Sequence, residues 1–132
     1  MVLFGEHRYY GESLPYGNNS FTYSNVVYLT VDQAMMDFVQ LIKSFKANNT
    51  AYTNSPVFAF GGSYGGMLAA WMRIKYPHII QGAVASSAPT MFMPGSVSPY
   101  AFNELVARAY RDAYNALYDD QPYYDTVILA AF

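Results

Sequence analysis

The 132-residue sequence contains no cysteine and only two histidines, and this scarcity excludes several kinds of active site. Without a thiol, the chain cannot carry a cysteine nucleophile or a zinc ribbon, and its redox compartment is left undetermined. Charge is also scarce: the formal net charge is −2, and the seven lysines and arginines form no basic stripe. Because a phosphate backbone requires clustered positive charge, we expect no nucleic-acid partner.

Long apolar runs are missing as well. No stretch of about 18 uninterrupted apolar residues occurs, so we expect no membrane span. The first eight residues, MVLFGEHR, are too short in their apolar part and too soon charged to act as a signal peptide. What the chain does have is 53% hydrophobic and 18% aromatic residues, which indicates one globular unit or a piece of one.

The order of the segments predicts an α/β protein with a parallel sheet. Short apolar runs with strand character alternate with helical patterns, and strands that are apolar without alternation are typical of burial on both faces. The predicted strands are residues 2–7, 57–61 and 82–88, and the predicted helices between them are residues 31–45 and 64–76. A tyrosine-rich helical pattern follows from Tyr100.

The first predicted helix carries a start signal. Thr30 followed by Gln33 is the pattern of a capping box, in which each side chain binds the backbone N–H of the other residue. We therefore expect the helix to begin directly after Thr30.

The stretch FGGSYGG, residues 60–66, lies between a predicted strand and a predicted helix. Gly61, Ser63 and Gly65 satisfy G-x-S-x-G, the pattern of a nucleophile elbow that projects a serine above a sheet from a strained turn. We expect the positions of Gly61 and Gly65 to require small residues, so that the strand and the helix can approach closely. Ser63 is therefore the predicted nucleophile.

The other residues of this stretch support the same interpretation. Gly62 and Gly66 are expected to relax the backbone further. The N–H of Tyr64 opens the helix and is the predicted donor to an oxyanion, where the helix dipole also favours negative charge. A plain turn or a phosphate-binding loop is the alternative, although the second lacks G-x-x-x-x-G-K-[ST] and a nearby lysine.

A serine nucleophile needs a general base, and in this architecture the chain order is serine, acid, histidine. His78 lies beyond the second helix, on the order of 20 Å from Ser63, and cannot be the base. His7 precedes the serine, so we expect a structural role for it, within a buried cluster with Glu6 and Arg8 beneath the site; a catalytic base is the alternative. The aspartates after the serine are expected to be solvated: Asp112, Asp119, Asp120 and Asp125.

Four blocks of the sequence resemble one family in order and spacing. They resemble the serine peptidase family of lysosomal Pro-X carboxypeptidase, dipeptidyl peptidase II and thymus-specific serine protease. The blocks are EHRYYGESLPYG, LTVDQAMMDFVQLI, FGGSYGGMLAAWMRIKYPH and GAVASSAP. The resemblance covers about residues 4 to 90.

The resemblance implies an α/β-hydrolase fold. Residues 1–90 would be part of the hydrolase domain, and residues 91–132 the start of a helical cap insertion. It also implies acyl transfer to Ser63 at a bond following proline, in a peptide substrate, with Tyr64 N–H as oxyanion donor and with no metal or cofactor. The parent enzyme would be lysosomal or secreted and could form a homodimer. The glycosylation sequons at Asn18 and Asn48 agree with that compartment.

The family's first strands, signal peptide, triad aspartate and triad histidine have no counterpart in these residues. The chain is therefore expected to be the middle of a longer enzyme and to be inactive alone. Two other classes stay open: an esterase or lipase, because a fold does not choose its substrate, and a non-catalytic fragment or pseudoenzyme. Release of N-terminal dipeptides and release of C-terminal residues also both stay open.

Overall fold

The chain divides into two compact units, Met1–Pro89 and Thr90–Phe132, and the computed structural model describes residues 1–91 and 95–118. In the first unit, α1 spans Val31–Asn48, β1 spans Phe58–Gly62, α2 spans Tyr64–Lys75 and β2 spans Gly82–Ser86. Short 3-10 turns lie at Gly17–Asn19, Val26–Tyr28 and Thr50–Tyr52. In the second unit, the predicted helix is confirmed as α3, Ala101–Tyr118.

The two strands form a parallel pair joined by α2. Phe58 lies opposite Gly82 and Gly62 opposite Ser86, so both strands end at the same edge of the sheet. Helices α1 and α2 pack together, and their apolar faces form the core with two residues that follow α2. The buried core residues are Met35, Val39, Leu68, Met72, Tyr76 and Ile80. The predicted strand–helix–strand unit is thereby confirmed.

Helix α1 begins where the capping signal predicted. The N–H of Gln33 donates to the Thr30 hydroxyl oxygen at 3.3 Å. The predicted reciprocal bond is wrong: the Thr30 N–H donates to the Tyr28 carbonyl at 3.0 Å, and the Gln33 amide oxygen accepts from the Arg8 guanidinium. A charged donor forms the stronger hydrogen bond, so the arginine takes the side chain that a capping box would use.

Removing the Thr30 side-chain oxygen should weaken the start of α1. We expect Thr30→Ala to lower the free energy of unfolding by about 1 kcal/mol, because one N–H of the first turn loses its partner. Thr30→Ser keeps the oxygen and is the matched control. Denaturant unfolding of both variants checks this, and equal stability of the alanine and serine variants would contradict it.

The predicted strand at residues 2–7 is wrong. No regular structure spans these residues, and Val2 and Phe4 are 73% and 90% exposed. A strand exists through hydrogen bonds to a neighbour, and no strand among the described residues pairs with this segment. The chain instead enters a series of turns, in which Tyr9 N–H donates to the Ser13 carbonyl at 2.9 Å.

Burial of the sheet on both faces is also a wrong prediction. Burial alternates at β1: Ala59, and Val57 directly before the strand, pack against the core, whereas Phe58 and Phe60 are 58% and 76% exposed. On β2, Val84 is half exposed as well. The helices cover one face of the sheet, so the α/β class is confirmed as a small, one-sided parallel sheet, and the complete hydrolase fold stays a prediction.

Helix α3 presents exposed apolar side chains, among them Phe102, Leu105 and Tyr110. Asp112 on this helix is exposed, as predicted, and lies 3.7 Å from the Arg111 guanidinium. The predictions for Asp119, Asp120 and Asp125 fall outside the described residues. No helix in the described ranges has both the length and the hydropathy that a bilayer span needs.

Candidate active site

Ser63 lies in the turn between the last residue of β1 and the first residue of α2. It is exposed, and its backbone has φ 52° and ψ −124°, a region that side chains rarely adopt. Only Tyr9 and Ser87 share a positive φ among the described non-glycine residues. Such a conformation costs of order 1–3 kcal/mol and persists only where the surroundings impose it.

Two backbone hydrogen bonds hold this serine in the strained turn. The Ser63 N–H donates to the Ser86 carbonyl at the end of β2, at 2.9 Å, and the Ser63 carbonyl accepts from Met67 in α2, at 3.0 Å. The turn is therefore attached both to the neighbouring strand and to the first turn of the helix.

Two glycines allow the strand and the helix to approach closely. A Cβ on Gly61 would lie 2.1 Å from the Gly65 carbonyl oxygen, a distance no real Cβ contact reaches. A Cβ on Gly66 would lie 2.9 Å from the Cβ of Ala88 and 3.0 Å from the Ser86 oxygen. Both positions require glycine because of space.

Two expectations for the remaining glycines are wrong. A Cβ on Gly65 or Gly62 would meet nothing within 4 Å, so the close approach predicted for Gly65 comes from its peptide group, which faces Gly61. Neither Gly62 nor Gly66 has a positive φ; the described glycines that do are Gly11, Gly17 and Gly95. The backbone relaxation predicted for this stretch is therefore absent, and the strained residue is the serine itself.

Tyr64 begins α2 directly after the serine. The first N–H groups of a helix have no partner within it, and they carry the positive end of the dipole. No side chain caps this helix start. An anionic oxygen near Ser63 would therefore face an N-terminus with free hydrogen-bonding capacity.

The structure brings His7 to the side chain of Tyr64. The His7 Nε2 lies 3.1 Å from the Tyr64 hydroxyl, and its Nδ1 lies 2.7 Å from the Arg8 carbonyl oxygen. Both ring nitrogens thus have partners other than Ser63. Burial, and secondarily the Tyr10 phenol, raises the pKa of the Tyr64 hydroxyl, which stays protonated in neutral solution.

Arg8 anchors the preceding segment to α1. Its Nε and Nη2 donate to the two carboxylate oxygens of Asp37 at 2.6 and 2.7 Å, and Nη1 donates to the Tyr28 carbonyl at 2.9 Å. The hydrogen bond to Asp37 raises the pKa of the guanidinium further above its ordinary value. A bidentate pair of this kind fixes orientation as well as distance.

Glu6 does not belong to the same cluster. Its side chain is exposed, and Oε2 accepts from the backbone N–H groups of Ser13 at 2.8 Å and Glu12 at 3.1 Å. Gly11 has φ 57° in this turn, and a Cβ there would lie 1.8 Å from the Glu6 carboxylate. The predicted buried charge cluster is therefore wrong: Glu6 closes a surface turn, while Arg8 binds α1.

The turn closed by Glu6 should be sensitive to acid. Hydrogen bonding from Ser13 holds the pKa of the Glu6 carboxyl below its usual 4.5. Because the folded-state pKa is the lower one, the stabilisation is present above pH 4.5 and is lost as the pH falls through the folded-state value. We expect Glu6→Gln to lose less Tm than the wild type between about pH 6 and about pH 3.

The control for this acid dependence is Glu12→Gln, because no hydrogen bond to the Glu12 carboxylate occurs in the described part of the chain. Differential scanning calorimetry across the pH range measures all three proteins. Parallel Tm curves for the wild type and Glu6→Gln would contradict the expectation.

The second histidine is not brought to the elbow. His78 is exposed beyond the C-terminus of α2, with its ring centroid 6.5 Å from that of Tyr76. The 12 residues of α2 make that helix about 18 Å long. An open groove of about 590 Å³ lies elsewhere, against Glu6, Arg8 and Tyr16, and its lining excludes Ser63. Within residues 1–91 and 95–118, no three acidic or histidine side chains are grouped for a metal ion.

Sequence reasoning missed two parts of this site. It gave no role to the Ser86 carbonyl, which follows only from the pairing of β1 with β2. It also missed the contact between His7 and the Tyr64 hydroxyl, which joins residues 57 positions apart. Neither contact leaves a local pattern in the sequence, because each joins residues that are far apart along the chain.

Comparison with known proteins gives consistent matches. A family model described as serine carboxypeptidase S28 matches residues 1–120. Human lysosomal Pro-X carboxypeptidase is 51% identical over 112 residues, which cover 84% of this chain and 23% of that protein. Mouse thymus-specific serine protease is 38% identical over 109 residues, covering 83% of this chain and 20% of that protein. The chain thus spans less than a quarter of the length of these relatives.

Proposed function

The chain belongs to the serine carboxypeptidase S28 family, and on that premise we propose that it carries the nucleophile of a serine exopeptidase that cleaves after proline. The observation that carries this proposal is the strained, exposed Ser63 between β1 and α2. Residues in sparsely populated regions of φ and ψ cluster at active sites, and Ser63 combines such a backbone with an exposed hydroxyl at the start of a helix. The matching relatives, which are named as peptidases, support the same reaction.

The proposed reaction is acyl transfer. The Ser63 Oγ attacks the carbonyl carbon of the scissile bond and gives its proton to a general base, while the carbonyl oxygen becomes an oxyanion. The oxyanion accepts a hydrogen bond from the Tyr64 N–H at the start of α2. The C–N bond then breaks, the amine leaves with the proton, and water hydrolyses the acyl-enzyme. The base and its carboxylate are supplied by residues other than His7 and His78.

The name Pro-X carboxypeptidase favours release of a C-terminal residue over release of an N-terminal dipeptide. The full name, lysosomal Pro-X carboxypeptidase, favours a lysosomal location. We also propose that the parent polypeptide can be secreted, that it forms a homodimer, and that residues 91–132 begin a helical cap domain. Asn18 and Asn48, the proposed glycosylation sites, are both exposed. No cofactor takes part in this reaction.

Paired substrates test the specificity. The parent polypeptide, meaning the longest natural chain that contains residues 1–132, is assayed with peptides that differ only in proline or alanine before the C-terminal residue. We expect kcat/KM to be at least about tenfold higher for the proline peptide, since a fitted pocket discriminates by about that factor per contact. Turnover of a p-nitrophenyl ester without cleavage of either peptide would favour the esterase alternative.

A non-catalytic role is the second candidate, because neither histidine within the described residues is free and close enough to activate Ser63. Residues 1–132 alone are expected to show no hydrolysis of the proline peptide and no labelling by a fluorophosphonate. Labelling of the parent polypeptide at Ser63 separates a working enzyme from a pseudoenzyme, because the probe needs an activated serine.

A further inference from the structure

We propose that His7 is a positioning residue, which orients the Tyr64 backbone N–H by holding the Tyr64 hydroxyl; this rests on the proposed function of the elbow. Its Nε2 lies 3.1 Å from that hydroxyl, and the two residues are 57 positions apart. No other polar side chain of the described residues contacts the Tyr64 phenol within hydrogen-bond distance. The link joins the N-terminal turns to the first residue of α2.

The partners of the histidine ring determine its tautomer. Nδ1 lies 2.7 Å from the Arg8 carbonyl oxygen, which can only accept, so Nδ1 carries the proton. In the neutral ring Nε2 is then an acceptor, and the Tyr64 O–H is its donor. The tyrosine proton therefore points toward His7, and the oxygen keeps its own lone pairs free.

The histidine ring is held on several sides. Its centroid lies 5.1 Å from Tyr10 and 6.3 Å from Phe38 of α1, both in edge-on geometry, and 5.7 Å from Tyr64. The Arg8 residue whose carbonyl accepts from Nδ1 is itself clamped to α1 through Asp37. These contacts hold the His7 ring in one position against α1.

Fixing the Tyr64 side chain also limits the backbone torsions that set the direction of the Tyr64 N–H. The direction of the Tyr64 N–H depends on ψ of Ser63, which is −124°, and on the placement of the first residue of α2. A helix start without a side-chain cap can shift by a small rotation, and a misplaced oxyanion donor lowers the rate of the chemical step. A tether at the end of the tyrosine ring opposes that rotation.

Kinetics of a double-mutant cycle in the parent polypeptide test the link. Tyr64→Phe removes the hydroxyl and keeps the ring, and His7→Leu removes the imidazole that contacts this hydroxyl. We expect each to lower kcat for the proline peptide by about 3- to 10-fold, with KM changed less than about twofold, because the lost contact acts only on the transition state. The double variant is expected to be no slower than the slower single variant.

Two further variants separate positioning from folding. His7→Gln keeps an acceptor near the Nε2 position and is expected to recover at least about half of the kcat lost in His7→Leu, since it restores the single hydrogen bond. His78→Gln changes the other histidine, which lies beyond α2, and is expected to leave kcat unchanged. Equal loss in His7→Gln and His7→Leu would overturn the proposal.

A spectroscopic measurement is independent of activity. In ¹⁵N-histidine-labelled protein, Tyr64→Phe is expected to shift the Nε2 resonance that disappears in His7→Leu, and to leave the His78 resonances in place. An unshifted His7 resonance, or additive losses of kcat in the cycle, would overturn the positioning role. Turnover that survives Ser63→Ala would instead overturn the proposed function, while the NMR result would still decide whether the contact exists.

Discussion

Ser63→Ala is expected to abolish hydrolysis of the proline peptide by the parent polypeptide, lowering kcat by at least about 10⁴-fold. The reason is chemical, since no acyl-enzyme can form without the hydroxyl, and binding groups alone supply only a small residual rate. KM and Tm are expected to change little, because the side chain is exposed and only one atom is removed.

The matched control is Ser87→Ala. Ser87 is also an exposed serine with a positive φ, 47°, and it follows β2 as Ser63 follows β1. We expect its kcat to stay within about threefold of the wild type, since the substitution removes one exposed side-chain oxygen that no step of the proposed reaction uses. A residual kcat above about one tenth in Ser63→Ala would remove this serine from the reaction, because loss of a nucleophile costs far more.

Gly61→Ala is expected to cost about 3 kcal/mol or more of stability and to inactivate the enzyme with it. The new Cβ would lie 2.1 Å from the Gly65 oxygen and 2.7 Å from the Gly66 nitrogen. These are backbone atoms, so relief requires β1 and α2 to separate and the turn at Ser63 to open. A loss of this size is a large fraction of the 5–15 kcal/mol that stabilises an ordinary domain.

Gly65→Ala is the control for that substitution, because a Cβ at this position meets nothing within 4 Å. The residue lies inside α2, where alanine is favoured over glycine by up to about 1 kcal/mol, so its Tm is expected to hold or rise. Thermal unfolding of both variants makes the comparison. Similar losses at the two positions would mean that the turn tolerates no side chain at either glycine, contrary to the geometry.

The helices were predictable because their signals are local. The apolar spacing between Val31 and Phe45 and the N-cap at Thr30 lie within the segment that folds, so α1 was placed correctly. The hydrogen bond from the Gln33 N–H was predicted correctly, whereas the partner of its side chain was not, because Arg8 comes from a turn distant in sequence. Local sequence rules predict the hydrogen-bond partner that a side chain would choose within its own helix. The tertiary fold decides whether a charged residue from elsewhere, such as Arg8, takes that side chain instead.

The strands and the site show the opposite limit. The segment at residues 2–7 has a strand composition, yet a strand depends on a partner, which no local pattern supplies. The strained turn at Ser63 was predictable from G-x-S-x-G, but the roles of its glycines were not. Which glycine needs space depends on the direction in which its Cβ would point, and that direction is known only once β1 and α2 are packed.

The strained backbone of Ser63 has a consequence for engineering. Glycine adopts a positive φ at almost no cost, so a selection for thermal tolerance alone would tend to replace this serine and raise stability at the same step that removes the proposed nucleophile. Stability and chemistry are in conflict at this one residue. A mutant library selected for thermal stability therefore needs serine kept at position 63. Stabilising substitutions are better sought where a new Cβ meets no neighbouring atom, as at Gly65.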